Sequence, residues 1–66
     1  MSAEEKIKAT IIERGLKQSY VAVNAGIADH KLSRSLNGYR RLRPEEFVRL
    51  CQVLGLQMED FRIDVA

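Results

Sequence analysis

Apolar residues recur along the chain with the spacing of an α-helix, and no stretch alternates with period two for long enough to indicate a sheet. Near the N-terminus, Ile7 and Ile11 lie four residues apart on one predicted apolar stripe. Similar stripes follow, each bounded by glycine, asparagine or proline. The pattern predicts five short helices, at about residues 3–14, 18–25, 28–36, 44–54 and 57–62.

Glycines and a proline mark the predicted helix ends. Gly15 and Gly55 follow the last apolar residues of the first and fourth helices, where a residue tolerant of left-handed backbone is favoured. Pro44 and the two glutamates after it suit the first turn of the fourth helix. Because the turns are short and no linker separates them, the chain is predicted to form one all-α domain over residues 1–66.

The segment from residue 18 to residue 38 predicts two helices that meet at a turn of small residues. Ala22 permits close approach, Gly26 makes the turn, and Ile27 fills the angle between the helices. Leu32 is expected in the core, as is Phe47 of the next helix. The opposite face of the third helix then projects from the body, where it suits a DNA major groove about 12 Å wide.

Positive charge is concentrated although the net charge is only +2. Between residues 31 and 43 there are five basic residues and no acidic one, namely Lys31, Arg34, Arg40, Arg41 and Arg43. Such a field fits a polyanionic partner or a solvated surface, and charge alone favours neither.

Catalysis and metal binding find little support in the sequence. There is no glycine-rich phosphate loop of the Walker type, and no nucleophile has an obvious base. One histidine and one cysteine are too few for a zinc site, and Cys51 is expected to be a buried apolar residue. We expect no enzyme activity, cofactor or metal. Without a signal-peptide core or an apolar run near about 20 residues, the expected location is the cytoplasm.

The motifs of the 18–38 segment and its surroundings resemble the Cro/CI-type helix-turn-helix family, also called the XRE family. They follow without a gap, as Gly15-Leu16-Lys17-Gln18, Val21-Ala22, Gly26-Ile27-Ala28, and Leu32-Ser33-Arg34 through Gly38. An apolar helix ending in Leu54-Gly55-Leu56 extends the resemblance to about residues 5–62. The resemblance implies a compact five-helix, lambda-repressor-like domain and a sequence-specific transcriptional regulator, a repressor of phage or bacterial type.

Three positions depart from the family pattern. Leu36 stands where the family often has glutamate, and Ile11 stands where many members have arginine. Lys17 replaces the threonine that caps the second helix. Because an ammonium group cannot accept a hydrogen bond, the second helix is expected to begin with a weaker cap.

The resemblance also implies roles for two sets of residues. Base readout falls to the exposed face of the third helix, at Asp29, His30, Ser33 and Arg34. Phosphate contacts fall to the start of the second helix and to the region after the third, at Gln18, Lys31, Asn37, Tyr39, Arg40, Arg41 and Arg43. Arg34 is the best candidate to bind guanine, with a phosphate contact as its alternative. Asp29 could accept from cytosine, orient His30 or Lys31, or repel phosphate.

The expected partner is double-stranded DNA with a pseudo-palindromic operator. The alternative is a protein-interaction module on the same fold, such as an antirepressor or an antitoxin-like partner. Asp29 favours this alternative, and the basic residues from Arg40 to Arg43 oppose it. A weak homodimer is expected through the C-terminal segment, where a frayed tail is the other interpretation; its apolar residues are Met58, Phe61, Ile63 and Val65.

Overall fold

Four α-helices joined by short turns make up residues 2–57, the part of the chain that the computed structural model describes. Helix α1 spans Ala3–Glu13, α2 spans Gln18–Ala25, α3 spans Asp29–Leu36 and α4 spans Pro44–Leu54. No strand occurs in this range. The all-α prediction and the first four predicted helices are confirmed, with bounds that differ by at most one residue.

The predicted count of five helices is not matched within the described residues. Gln57, where the fifth helix was predicted to begin, is not helical. Residues 58–62, which make up the rest of that prediction, lie outside the described part of the chain. Among residues 2–57, no helix is both long enough and apolar enough to span a membrane.

A capping box fixes the start of α1. The Ser2 hydroxyl accepts a hydrogen bond from the Glu5 backbone N–H at 3.1 Å, and the Glu5 carboxylate accepts one from the Ser2 N–H at 3.0 Å. These bonds satisfy two backbone donors that a helix N-terminus otherwise leaves unpaired. The far end of α1 is joined to α4, because the Arg14 guanidinium donates to the Leu54 carbonyl.

All four helices contribute to one apolar core. Its buried residues are Ile7, Ile11, Val21, Ala22, Ala25, Ile27, Leu32, Leu36, Leu50 and Leu54. Cys51 is buried as well, as its position in an apolar helical pattern predicts. The expectation for Phe47 was wrong in degree: its ring is only partly buried and packs against the edge of the core. It is the first residue of the α4 stripe, one turn before the fully buried Leu50.

Two departures from the family pattern lie in this core. Ile11 is 5% exposed and Leu36 is 6% exposed. An arginine or a glutamate at so buried a position would need an opposite charge to offset the cost of losing its water. Two apolar side chains remove that requirement and add to the burial of apolar surface.

The corner between α2 and α3 has the predicted construction. Gly26 adopts a left-handed conformation with φ of +67°, and the Ile27 N–H donates to the Ala22 carbonyl at 3.0 Å. Ile27 is buried in the angle. A Cβ atom at Gly26 would meet only an Arg49 nitrogen, at 3.8 Å, which leaves room for a side chain. Glycine is therefore favoured here by the left-handed backbone conformation and not by a lack of space. Lys17 precedes α2 without a side-chain capping bond, as predicted.

Leu32 gives the sharpest test of this packing, because its side chain is fully buried. We expect Leu32→Ala to lower the free energy of unfolding by about 2–5 kcal/mol, through lost apolar burial and the cavity left behind. Urea unfolding followed by circular dichroism would measure the change.

The matched control for this variant is Val23→Ala on α2, since the Val23 side chain is 79% exposed. That change should alter the free energy of unfolding by no more than about 0.5 kcal/mol. Equal stability of Leu32→Ala and the unchanged chain would show that the inward face of α3 is assigned wrongly.

Candidate nucleic-acid interface

Helix α3 presents a polar face to solvent and an opposite face to the core. Leu32, Ser35 and Leu36 are buried. The four residues predicted for base readout share the other side: Asp29, His30 and Arg34 are exposed and Ser33 is half-buried. The structure therefore brings these four side chains together on one face of a helix.

Asp29 is bonded to the start of α2. The Gln18 side-chain amide donates to the Asp29 carboxylate at 3.4 Å, a long hydrogen bond that links the first residues of α2 and α3. Among the described residues the partner of Asp29 is therefore Gln18, and not the His30 or Lys31 considered from the sequence. A carboxylate in the first turn of α3 also interacts favourably with the helix dipole. These two interactions give Asp29 a role in stabilising the start of α3.

Asn37 connects the end of α3 to α1. Its amide nitrogen donates to the Ser33 carbonyl at 2.9 Å and lies 3.4 Å from the Ser33 hydroxyl oxygen. Its amide oxygen accepts from the Lys8 ammonium at 3.2 Å. Lys8 thereby adds a cation near the C-terminus of α3, where the helix dipole is negative. No pattern in the sequence pointed to Lys8, because it lies 29 residues from Asn37.

The basic loop, residues 37–43, is held in place by the Glu46 carboxylate. One of its oxygens accepts from both the Arg40 guanidinium and the Arg43 backbone N–H at 2.9 Å. The other accepts from the second Arg40 nitrogen at 3.0 Å, which makes the Arg40–Glu46 ion pair bidentate. Arg40 also donates to the hydroxyl of the fully buried Ser35 at 3.0 Å. These bonds fix the loop against α3 and α4.

A second carboxylate fixes the same loop from α1. The Leu42 backbone N–H donates to Glu4 at 3.0 Å. Local patterns in the sequence do not indicate the positioning roles of Glu4, Ser35 and Glu46. The sequence placed Glu46 in the first turn of α4 but did not indicate its partners. The Glu4–Leu42 contact could not be predicted, because it joins residues 38 positions apart.

The predicted phosphate ligands consequently divide into two groups. Arg40 and Asn37 have their side-chain polar atoms bonded within the protein, and Gln18 donates to Asp29. The others are exposed, namely Lys31, Tyr39, Arg41 and Arg43. In the sequence, Tyr39 lies between the exposed cations of α3 and those of the basic loop, and it is itself 75% exposed.

A corner between two helices, a projecting polar face on the second and an adjoining cationic loop are the elements of a known DNA-binding motif. Residues 8–62 match the family model described as a helix-turn-helix domain. The chain belongs to the helix-turn-helix domain family. No curated protein and no solved structure matches it at a significant level. In DNA-binding helix-turn-helix proteins the second helix of the motif enters the major groove. The second helix of the motif in this chain is α3.

The Arg40–Glu46 ion pair of this helix-turn-helix domain also shifts the pKa of both partners. The hydrogen bond from Arg40 lowers the pKa of Glu46, and the Arg43 N–H lowers it further, while burial opposes both. The same pair raises the pKa of Arg40. No three His, Cys, Asp or Glu side chains among residues 2–57 are grouped to hold a metal ion.

The lowered pKa of Glu46 predicts a pH dependence of stability. Its ordinary value is 4.5, and the folded value is lower. The stabilisation is therefore fully present above the ordinary pKa and is lost as pH falls through the folded pKa. Glu46→Gln should lower the free energy of unfolding at pH 7. In this variant the free energy of unfolding should also fall less steeply as the pH is lowered from about 5 to 3. Urea unfolding across this pH range would measure both.

The control is Glu45→Gln, one residue earlier and exposed, because Glu45 forms no ion pair with the described residues. It should change the pH dependence less than Glu46→Gln. Identical profiles for the two variants would contradict the role assigned to Glu46.

Proposed function

We propose that the chain is a sequence-specific DNA-binding transcriptional regulator, and more narrowly a Cro/CI-like repressor. The observation that carries this proposal is the outward face of α3, which presents Asp29, His30, Ser33 and Arg34 together. The basic loop follows directly and bears exposed cations. A major groove admits an α-helix, and the phosphates at its edges attract basic side chains.

In this proposal Arg34 makes the principal base contact. A guanidinium edge matches the O6 and N7 acceptors of guanine with two parallel hydrogen bonds. His30 and Ser33 donate to or accept from neighbouring base edges. Asp29 contributes through its hydrogen bond to Gln18, which orients the start of α3 relative to α2.

The cations around α3 position the domain on the duplex. Lys31, Arg41 and Arg43 are exposed and bind phosphates directly. Arg40 and Asn37 act indirectly, since their bonds to Glu46 and Ser33 hold the basic loop in shape. Gln18 lies at the N-terminus of α2, where backbone N–H groups favour a phosphate.

Asp29 is the observation that favours the alternative, a protein-interaction module on the same fold. An acidic group on the DNA-facing side is unexpected, because phosphates repel it. The bond from Gln18 and the position at the start of α3 supply another reason for its presence. Asp29 thus does not require a protein partner, and the exposed cations of the basic loop favour DNA as the partner.

The same proposal includes two chains on one operator. One recognition helix contacts only a few base pairs, and helix-turn-helix proteins commonly bind as dimers to half-sites about 34 Å apart. The residues expected to join the two copies are Met58, Phe61, Ile63 and Val65. They lie outside the described residues.

Salt dependence tests the phosphate contacts. The logarithm of the binding constant should fall linearly with the logarithm of salt concentration, with a slope of about −0.9 per phosphate neutralised. Arg41→Ala should weaken binding to all duplexes alike and reduce the magnitude of the slope by about one. Fluorescence anisotropy with a duplex of random sequence would measure both.

Lys6→Ala on α1 is the matched control, because it removes the same charge outside α3 and the basic loop. Its slope should stay near that of the unchanged chain. An Arg41→Ala protein with unchanged affinity and slope would exclude Arg41 from the interface. A chain that binds no duplex even at low salt would favour the protein-interaction alternative.

Arg34 tests the base readout. Arg34→Ala should cost roughly 1–3 kcal/mol on the preferred sequence and remove the preference at one base pair. Selection of bound sequences from a random duplex pool, with and without the change, would identify that base pair. If preferred and random duplexes are weakened equally, Arg34 contacts a phosphate instead.

A further inference from the structure

An aromatic ring lies against the arginine that is best placed to contact a base. The guanidinium carbon of Arg34 is 5.9 Å from the centroid of the Tyr39 ring. A cation within about 6 Å of an aromatic ring is attracted to the negative face of the ring. The two residues come from different elements, since Arg34 is in α3 and Tyr39 is in the basic loop.

The backbone brings the ring to this place. After α3 ends, Gly38 adopts a left-handed conformation with φ of +85°, which reverses the chain. The Tyr39 N–H then donates to the Arg34 carbonyl at 2.9 Å. This hydrogen bond holds Tyr39 beside the last turn of α3, and the bonds of Glu46 hold the loop beyond it. The position of the ring therefore depends on the fold as well as on the side-chain rotamer.

Burial does not account for this ring. The Tyr39 side chain is 75% exposed, and Tyr39 is not part of the core cluster. A tyrosine exposed to this degree contributes little apolar burial to stability. Its contact with Arg34 is therefore the interaction that distinguishes it from an ordinary loop residue.

Arg34 and Arg40 are held in chemically different ways. The N–H groups of Arg40 are engaged by Glu46 and Ser35. No acceptor among residues 2–57 takes a hydrogen bond from the Arg34 side chain, which instead contacts an aromatic ring. An aromatic contact restricts a guanidinium without using its hydrogen-bond donors, whereas a carboxylate uses them. Of the two, Arg34 is the one whose donors stay available to guanine.

We propose that Tyr39 is a specificity-determining positioning residue, whose ring orients the Arg34 guanidinium for guanine before DNA binds. This inference rests on the proposed function. Arginine has many accessible rotamers, and restricting them in the free protein lowers the entropic cost of the bound geometry. The role differs from the phosphate contact that the family resemblance implies for Tyr39, because that contact would use the hydroxyl group and this one uses the ring.

Three variants test the hydroxyl group of Tyr39, its ring, and the dependence of the ring's effect on Arg34. Tyr39→Phe keeps the ring and should keep the preference of the unchanged chain for its guanine. Tyr39→Leu keeps an apolar side chain without the ring, and should reduce that preference by about two- to fivefold. Arg34→Ala combined with Tyr39→Leu should show no further loss beyond Arg34→Ala, because the ring acts through Arg34.

The measurement compares two duplexes. One carries the sequence selected by the unchanged chain, and the other differs only at the base pair whose preference Arg34→Ala removes. The expected result is that Tyr39→Leu lowers the ratio of the two affinities only when Arg34 is present. Equal weakening of both duplexes by Tyr39→Leu would overturn the inference. So would a ratio that falls in Tyr39→Phe as far as it does in Tyr39→Leu, since that result assigns the effect to the hydroxyl group of Tyr39 and not to its ring.

Proton NMR of the free protein tests the contact without DNA. Ring currents should shift the Arg34 Cδ protons upfield in the unchanged chain and in Tyr39→Phe, and the shift should vanish in Tyr39→Leu. Absence of the shift in the unchanged chain would overturn the inference even if DNA binds. If the unchanged chain binds no duplex, the proposed function fails and the positioning role fails with it, whether or not the upfield shift is present.

Discussion

The fixed angle between α2 and α3 is the constraint on which the other features depend. Gly26 turns the chain through a left-handed conformation, and Ile27 is buried in the corner. Ala22 and Ala25, each 1% exposed, are small enough to keep the two helices in close contact. With that angle set, Leu32 faces the core and the polar side of α3 faces outward. The candidate interface is therefore a consequence of apolar packing on the opposite side of the same helix.

Acidic residues organise the cationic loop. Acidic groups beside a DNA-binding surface would ordinarily reduce its attraction for phosphates. Here Glu46 is paired with Arg40 and Glu4 accepts from the Leu42 backbone, so both carboxylates are used to hold the loop. Arg41 and Arg43 are exposed on a loop whose backbone is hydrogen-bonded to these two carboxylates at Leu42 and Arg43. A loop fixed before binding loses less conformational entropy when it meets a duplex.

Most of the fold, but only part of the candidate site, could be predicted from the sequence. The spacing of apolar residues and the glycines at helix ends located α1 to α4, because both signals lie within a few residues of the element they define. The partners of Glu4, Lys8 and Glu46 depend on contacts between elements, which local periodicity does not record. Phe47 was placed too deep because a stripe shows which side of a helix faces inward but not how far the core extends along it.

In the proposed binding mode, α3 enters a major groove and the basic loop lies on the flanking phosphates. The most direct measurement is the set of NOEs between the isotope-labelled chain and a short duplex of its selected sequence. This binding mode predicts NOEs from His30, Ser33 and Arg34 to major-groove base protons, with backbone amide shifts concentrated in residues 29–43. NOEs or shifts centred instead on the exposed face of α4, around Val48 and Gln52, with none from α3, would contradict it.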